Sequence, residues 1–195
     1  MRKELEDLVG NLKALEDAKR MEAQLQVAML LERHFIRVLT IAKTGLDNRD
    51  DKSISSQIVP YDYGPDLPPE LLSLELSDDE AKEIVGRMFQ LLASSEANPS
   101  LIWALGKVPA RIGLEPILGI MTTYSDKLDD LSACQAVYVL ENYLSPGADG
   151  KISSELKTII AQKDPTRFLA KSSSSANSRL STSAQRVLKK LQERL

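Results

Sequence analysis

Apolar residues recur every three or four positions along most of the chain, and the places where this pattern stops mark out its elements. Leu5, Leu8, Leu12 and Leu15 follow a 3-4 spacing for two heptads, the seam of an amphipathic helix. Lys19 and Glu22 occupy the next seam positions, so the heptad fails there. From Met21 the apolar share rises through Leu25, Ala28, Met29, Leu31, Phe35, Val38, Leu39 and Ala42, which predicts burial on several sides. The spacing predicts one long helix over residues 1–45, or two in tandem, closed by Gly45 after Lys43. The first half reads equally well as a helix folded against its own domain and as an exposed arm forming a homodimer seam. Two heptads alone seldom hold a dimer together.

Periodicity vanishes over residues 46–76. Asp47, Asp50, Asp51 and the serines that follow are loop-like, and YDYGPDLPPE then brings Pro60, Gly64, Pro65, Pro68 and Pro69. Such a run excludes regular helix and favours extended or polyproline backbone, making the segment an acidic connector. Tyr61 and Tyr63 are its notable side chains. The simpler account has both rings pin the connector to the body; the sharper has them form a partner-binding patch, since tyrosine offers large area at low entropic cost.

Helical periodicity returns at Ser77-Asp78-Asp79-Glu80, a capping box in which Ser77 and Glu80 satisfy each other's end of the first turn. Ile84, Val85, Met88, Phe89, Leu91 and Leu92 carry the apolar face, and Asn98-Pro99 ends it. Pro99 then suits the first turn of a helix holding Leu101, Ile102, Trp103, Leu105 and Val108, stopped by Gly106 and Pro109. The following helix carries Ile117, Leu118, Ile120 and Met121; Pro116 is harmless near its start and disruptive further in. Asp129-Asp130 opens a third helix, whose inner face is Ala133, Ala136, Val137, Leu140 and Leu144.

Beyond these helices, SPGADGKISSEL has Gly150 where a calcium loop needs its sharp turn, but Leu156 where it needs glutamate. Only Asp149 fits as a ligand, so the segment reads as a turn leading into a helix with Ile152, Leu156, Ile159 and Ile160. Asp164-Pro165 starts a short helix with Phe168 and Leu169. Residues 171–178, KSSSSANS, read as a mobile low-complexity insertion. A last helix carries Leu180, Ala184, Val187, Leu188 and Leu191 inside.

Ala104-Leu105-Gly106-Lys107-Val108 followed by Leu114-Glu115-Pro116-Ile117-Leu118 resembles the HEAT/armadillo-type family of α-helical repeats, including the short repeats of phycobiliprotein lyases. The family's usual Asp-Pro turn is replaced by Val108-Pro109-Ala110. Leu101, Leu105 and Val108 superpose on Ala136, Leu140 and Tyr143 with a shift of 35, and Ala184, Leu188 and Leu191 superpose on the same three with a shift of 48. The resemblance implies an all-α fold: a short right-handed α-solenoid-like stack of helical hairpins over residues 77–195, preceded by the long N-terminal helix. It also implies a non-enzymatic scaffold or adaptor that binds another protein. Chromophore attachment, the lyase possibility, has no matching motif here.

Composition and charge narrow the chemistry. The chain has 195 residues, 43% apolar and 27% charged, as in an ordinary globular domain with appendages. No window of ~18 consecutive apolar residues would span a membrane. A single cysteine, Cys134, rules out an intramolecular disulfide and, with a charged N-terminus lacking an apolar signal core, suits the cytoplasm. Net charge is −3, but residues 46–83 carry 3 basic and 11 acidic side chains while residues 151–195 carry 10 and 3. Arg179, Arg186, Lys189 and Lys190 head that basic end, which makes nucleic-acid association the alternative to a protein-binding scaffold. The acidic middle and the low aromatic content weigh against it.

His34 is the only histidine, and its neighbours Glu32, Arg33 and Arg37 predict a surface or edge position. Cys134 falls where the resembled repeat carries alanine, which predicts a small buried thiol. Cysteine and histidine are too few for a zinc site, no phosphate-cradling glycine loop or nucleophile elbow occurs, and no cofactor is implied.

Overall fold

The computed structural model describes residues 1–44, 71, 74–94, 98–144 and 152–194, and side chains only as far as Phe35 in the first stretch. The described residues are all helical, with no strand among them. They divide into two compact units, Met1–Ile84 and Val85–Leu195.

In the first unit the two-helix alternative holds. Helix α1 spans Lys3–Gly10, a 3-10 turn follows over Asn11–Lys13, and helix α2 spans Asp17–Thr44. Arg20 pins the break by donating from Nη1 to the Ala14 carbonyl at 2.9 Å while its Nη2 meets Asp17. Helix α1 and the 3-10 turn pack on α2, and Leu5, Leu8, Val9 and Leu12 are buried there. The supposed exposed arm is therefore closed within the single chain. Of the four leucines of the heptad seam only Leu15, in the break itself, is fully exposed, and it cannot form a dimer seam alone.

Helix α2 buries Ala23, Val27, Ala28, Leu30, Leu31 and Phe35. His34 is buried with them at 7% exposure, a correction to the expected surface position. Its charged neighbours misled: positions three, four and seven residues before it are Leu31, Leu30 and Val27, so the helix turns it inward. Helix α3, Asp78–Ser94, begins with the capping box: Glu80 N donates to Ser77 Oγ at 3.2 Å, and Ser77 N donates to Glu80 Oε2 at 3.0 Å. The boundary between the units falls within α3.

The second unit is built of helices. Helix α4 spans Pro99–Leu105, with Asn98 as N-cap accepting from Ser100 N at 2.8 Å. Helix α5 spans Ala110–Thr123, α6 spans Asp130–Tyr143, α7 spans Ser154–Lys163, α8 spans Thr166–Ser173 and α9 spans Ser178–Arg194. Asp129 caps α6 by accepting from Ser132 N at 2.7 Å. Pro116 is the seventh residue of α5, so the Ile112 carbonyl loses its usual helical donor. The run at 171–178 is not a free insertion: Lys171, Ser172 and Ser173 close α8, Ser172 is buried, and Asn177 accepts from the first amides of α9.

Helix α6 organises this unit. It packs against α4, α5 and α9, while α5 also packs against α7, and α8 against α9. Leu105, Leu118 and Leu140 are all fully buried. Each contributes about 1.5–3 kcal/mol through removal from water, offset by the cost of ordering the chain. Leu156, Ile159 and Leu188 are only half-buried, so the predicted apolar face is thinner in α7 and α9 than its spacing suggested.

Two glycines permit the closest approaches. A Cβ on Gly106 would lie 2.7 Å from Val139 Cγ2, so only glycine lets the end of α4 rest on α6. A Cβ on Gly113 would overlap the Tyr143 hydroxyl and stand 2.8 Å from Cζ. Tyr143 Oη fills that space and donates to the Leu105 carbonyl at 2.8 Å, joining α6 to α4. Burial pushes the Tyr143 phenol up, so it stays a donor at any ordinary pH.

Candidate interaction surface

Tyr61 and Tyr63 lie outside the described residues, as do most of the connector, Gly45 and the glycine of the rejected calcium loop. The four candidate cations of the C-terminal helix, Arg179, Arg186, Lys189 and Lys190, do not form one free patch. Arg186 and Lys190 stand four residues apart, hence on one face of α9, and both reach Glu141 on α6. Arg186 Nε donates to Glu141 Oε1 at 2.6 Å and Nη2 to Oε2 at 2.9 Å, a bidentate fork, while Lys190 Nζ lies 2.7 Å from Oε1. Burial alone would raise the Glu141 carboxyl, but the hydrogen bonds from Arg186 and Lys190 outweigh it and hold it below its usual range. The same contact with Glu141 raises the Arg186 guanidinium.

Lys189 pairs within its own helix, 3.8 Å from Glu193. Arg179 is exposed at the start of α9. Of the four cations, then, two are held by one carboxylate, one is matched locally, and Arg179 faces solvent.

Among the described residues, Leu15 and Met21 of the first unit are exposed, and in the second unit an apolar strip on α6 is uncovered. Leu131 is 66% exposed and Tyr138 is 37% exposed. Seven residues separate them, about two helical turns, so they stand on one line roughly 10 Å apart. Half-buried Gln135 lies between them and exposed Asn142 extends the line. Asp129 and Asp130 are exposed at one end of it, and the Glu141–Arg186–Lys190 cluster lies towards the other. Arg186 is within electrostatic reach of Tyr138. On α4, Trp103 is half-buried with Lys107 Nζ 4.7 Å above its ring. The strip was legible in principle. Assigning Ala133, Ala136, Val137 and Leu140 to the core leaves Leu131 and Tyr138 on the opposite side of the helix.

Reactive groups are sparse and used structurally. Cys134 is buried in α6, as expected of a small thiol at that place. His34 Nε2 lies 3.1 Å from Asp78 Oδ1 but without hydrogen-bond geometry, and its ring meets Phe35 edge-on with centroids 5.0 Å apart. Arg33 Nη2 donates to the carbonyls of Leu71, at 3.2 Å, and Leu74; burial lowers its pKa, and Glu75 partly restores it. Arg2 grips Glu80 with Nε at 2.9 Å and Nη2 at 3.0 Å, and also reaches the Glu75 carbonyl at 2.5 Å. Among the described residues no group of three His, Cys, Asp or Glu side chains is placed to hold a metal ion. No helix among them is long and apolar enough to cross a membrane.

The described residues thus define an all-helical protein whose second unit is a packed set of helices with an apolar strip on one of them. No family model matches the chain, and neither a curated protein nor a solved structure shows significant similarity to it.

Proposed function

We propose that this chain is a non-enzymatic protein-interaction scaffold built on HEAT-like helical hairpins, with the Leu131–Tyr138 strip as its binding surface. The observation that carries the reading is that strip. A leucine and a tyrosine stand in solvent on the helix at the centre of the second unit, where core positions are otherwise filled by buried aliphatic residues. Tyrosine and leucine on a rigid helix make a preorganised apolar contact, and helix-in-groove partners are read through residues at such spacing.

The repeat reading has two further supports. Helices α4 and α6, which the 35-residue shift equates, pack on one another, as do α6 and α9, which the 48-residue shift equates. The ion-pair contacts from Glu141 to Arg186 and Lys190 span 45 and 49 residues, bracketing the second shift. Neighbouring repeats in a solenoid make contacts of this kind. The nucleic-acid alternative loses ground, because Arg186 and Lys190 are already engaged by Glu141 and a phosphate would have to compete with that carboxylate.

The test is retention from native lysate on the purified full chain, beside a Leu131→Glu variant, with retained proteins identified and their stoichiometry measured. A defined protein retained by the native chain and lost from the variant supports the scaffold. Retention of nothing at every salt concentration, by a chain that does not self-associate, contradicts it. Retardation of duplex DNA or RNA that Arg179→Ala abolishes would favour the alternative.

A further inference from the structure

The strip on α6 has a charge pattern that selects its occupant. Asp129, the N-cap, and Asp130 stand at the helix start, both exposed and immediately before Leu131 in the chain. Towards the other end, one turn beyond Tyr138 on α6, Glu141 meets two cations among the described residues, Arg186 and Lys190. Arg186 remains half exposed, with its guanidinium fork only partly covered. Apolar residues therefore sit in the middle, with acidic groups at one end and a cluster of two cations on one carboxylate towards the other.

A uniformly acidic or uniformly basic partner helix would meet repulsion at one end of such a strip. A copy of the same strip, turned end for end, meets attraction at both. Isologous contacts about a two-fold axis have this self-complementarity: each residue meets its counterpart's opposite number twice over. The midpoint between Leu131 and Tyr138 falls beside Gln135. A two-fold axis there would place Leu131 of one copy on Tyr138 of the other, and Asp130 of each near Arg186 of its mate.

We propose that a second copy of this chain docks antiparallel across α6, with Leu131 and Tyr138 as the apolar centre and Asp130 facing Arg186 at either end. This rests on reading the strip as an interaction surface. It replaces the N-terminal heptad as the route to a dimer, since Leu5, Leu8 and Leu12 are spent inside the first unit.

Sedimentation of the full chain over a wide concentration range tests the pairing. The native chain is expected to pass from monomer to dimer, and Leu131→Glu to raise the dissociation constant about tenfold or more. Leu131 is exposed, and a thermal melt by circular dichroism checks that the variant still folds. A second arm uses geometry: Gln135→Cys in a Cys134→Ala background should oxidise to a covalent dimer, whereas Glu155→Cys in the same background, on α7, should not. A chain that stays monomeric at all concentrations, or a dimer indifferent to Leu131→Glu, overturns the proposal. A monomer that nevertheless retains a defined lysate protein through Leu131 sinks only the self-pairing, while a monomer that retains nothing sinks the scaffold reading with it.

Discussion

Each of the two units is held by its own kind of contact. In Met1–Ile84 polar contacts do much of the positioning: Arg2 clasps Glu80, Arg33 closes on the carbonyls of Leu71 and Leu74, and His34 stands beside Asp78. In Val85–Leu195 the centre is aliphatic, and a buried hydrogen bond, from Tyr143 to the Leu105 carbonyl, is set into it by Gly113. The contrast teaches where each unit is vulnerable. An apolar interior responds to lost volume, whereas a polar one responds to a partner left unsatisfied.

The largest effect belongs to the aliphatic unit. Leu118→Ala removes a fully buried side chain and should lower unfolding free energy by about 2–5 kcal/mol in urea denaturation. A loss below about 1 kcal/mol would mean that α5 is not packed as described. In the first unit, Arg33→Met keeps the aliphatic stem but takes a charged donor from the Leu74 carbonyl, while the Leu71 carbonyl keeps the Leu74 N–H, for an expected loss of about 1–3 kcal/mol by the same measurement. Gln24→Leu should go the other way. Gln24 is 1% exposed and its Oε1 has no hydrogen-bond partner among the described residues, so removing that oxygen should raise stability by about 1 kcal/mol.

The smallest effect is pH-dependent. The hydrogen bond from Arg2 holds the Glu80 carboxyl at about 2, from an ordinary value of 4.5, with the Ser77 contacts adding to it against the opposing effect of burial. A carboxyl depressed in the folded state contributes stability that is fully present above its unfolded value. That contribution fades as pH falls from about 4.5 towards about 2. Because Arg2 is exposed to solvent, the effect is modest and screened by salt. Glu80→Gln should flatten the acid limb of a stability–pH profile; an unchanged limb would show that the Arg2–Glu80 contact does not persist in solution.

Local chemistry made the helix starts legible. Ser77 and Asp129 each cap the helix their sequence announces, because capping depends on residues within one turn; Asn98, read only as the end of the preceding helix, caps α4 as well. The core faces of α3, α4, α5 and α6 followed from spacing for the same reason. What spacing alone could not give was closure between distant segments. The Leu5–Leu12 seam has the same period whether its partner is another copy or α2 of the same chain. Arg33 looks like any charged helix residue until the Leu71 and Leu74 carbonyls, about forty positions on, are brought to it. The basic run at the C-terminus likewise reads as free charge until Glu141 is placed against it. The candidate strip lay between these cases: its residues could be found by subtraction from the core face, but their exposure depends on which faces of α6 are covered by α4, α5 and α9.

All of this depends on α6 being enclosed by its neighbours through the gaps that Gly106 and Gly113 leave. Nuclear Overhauser contacts in the full chain test that arrangement most directly. The account predicts cross-peaks from the Val139 methyls to the Gly106 α-protons and from the Tyr143 ring to the Gly113 α-protons. If both sets are missing from a folded, well-dispersed spectrum, then α4, α5 and α6 do not meet as described.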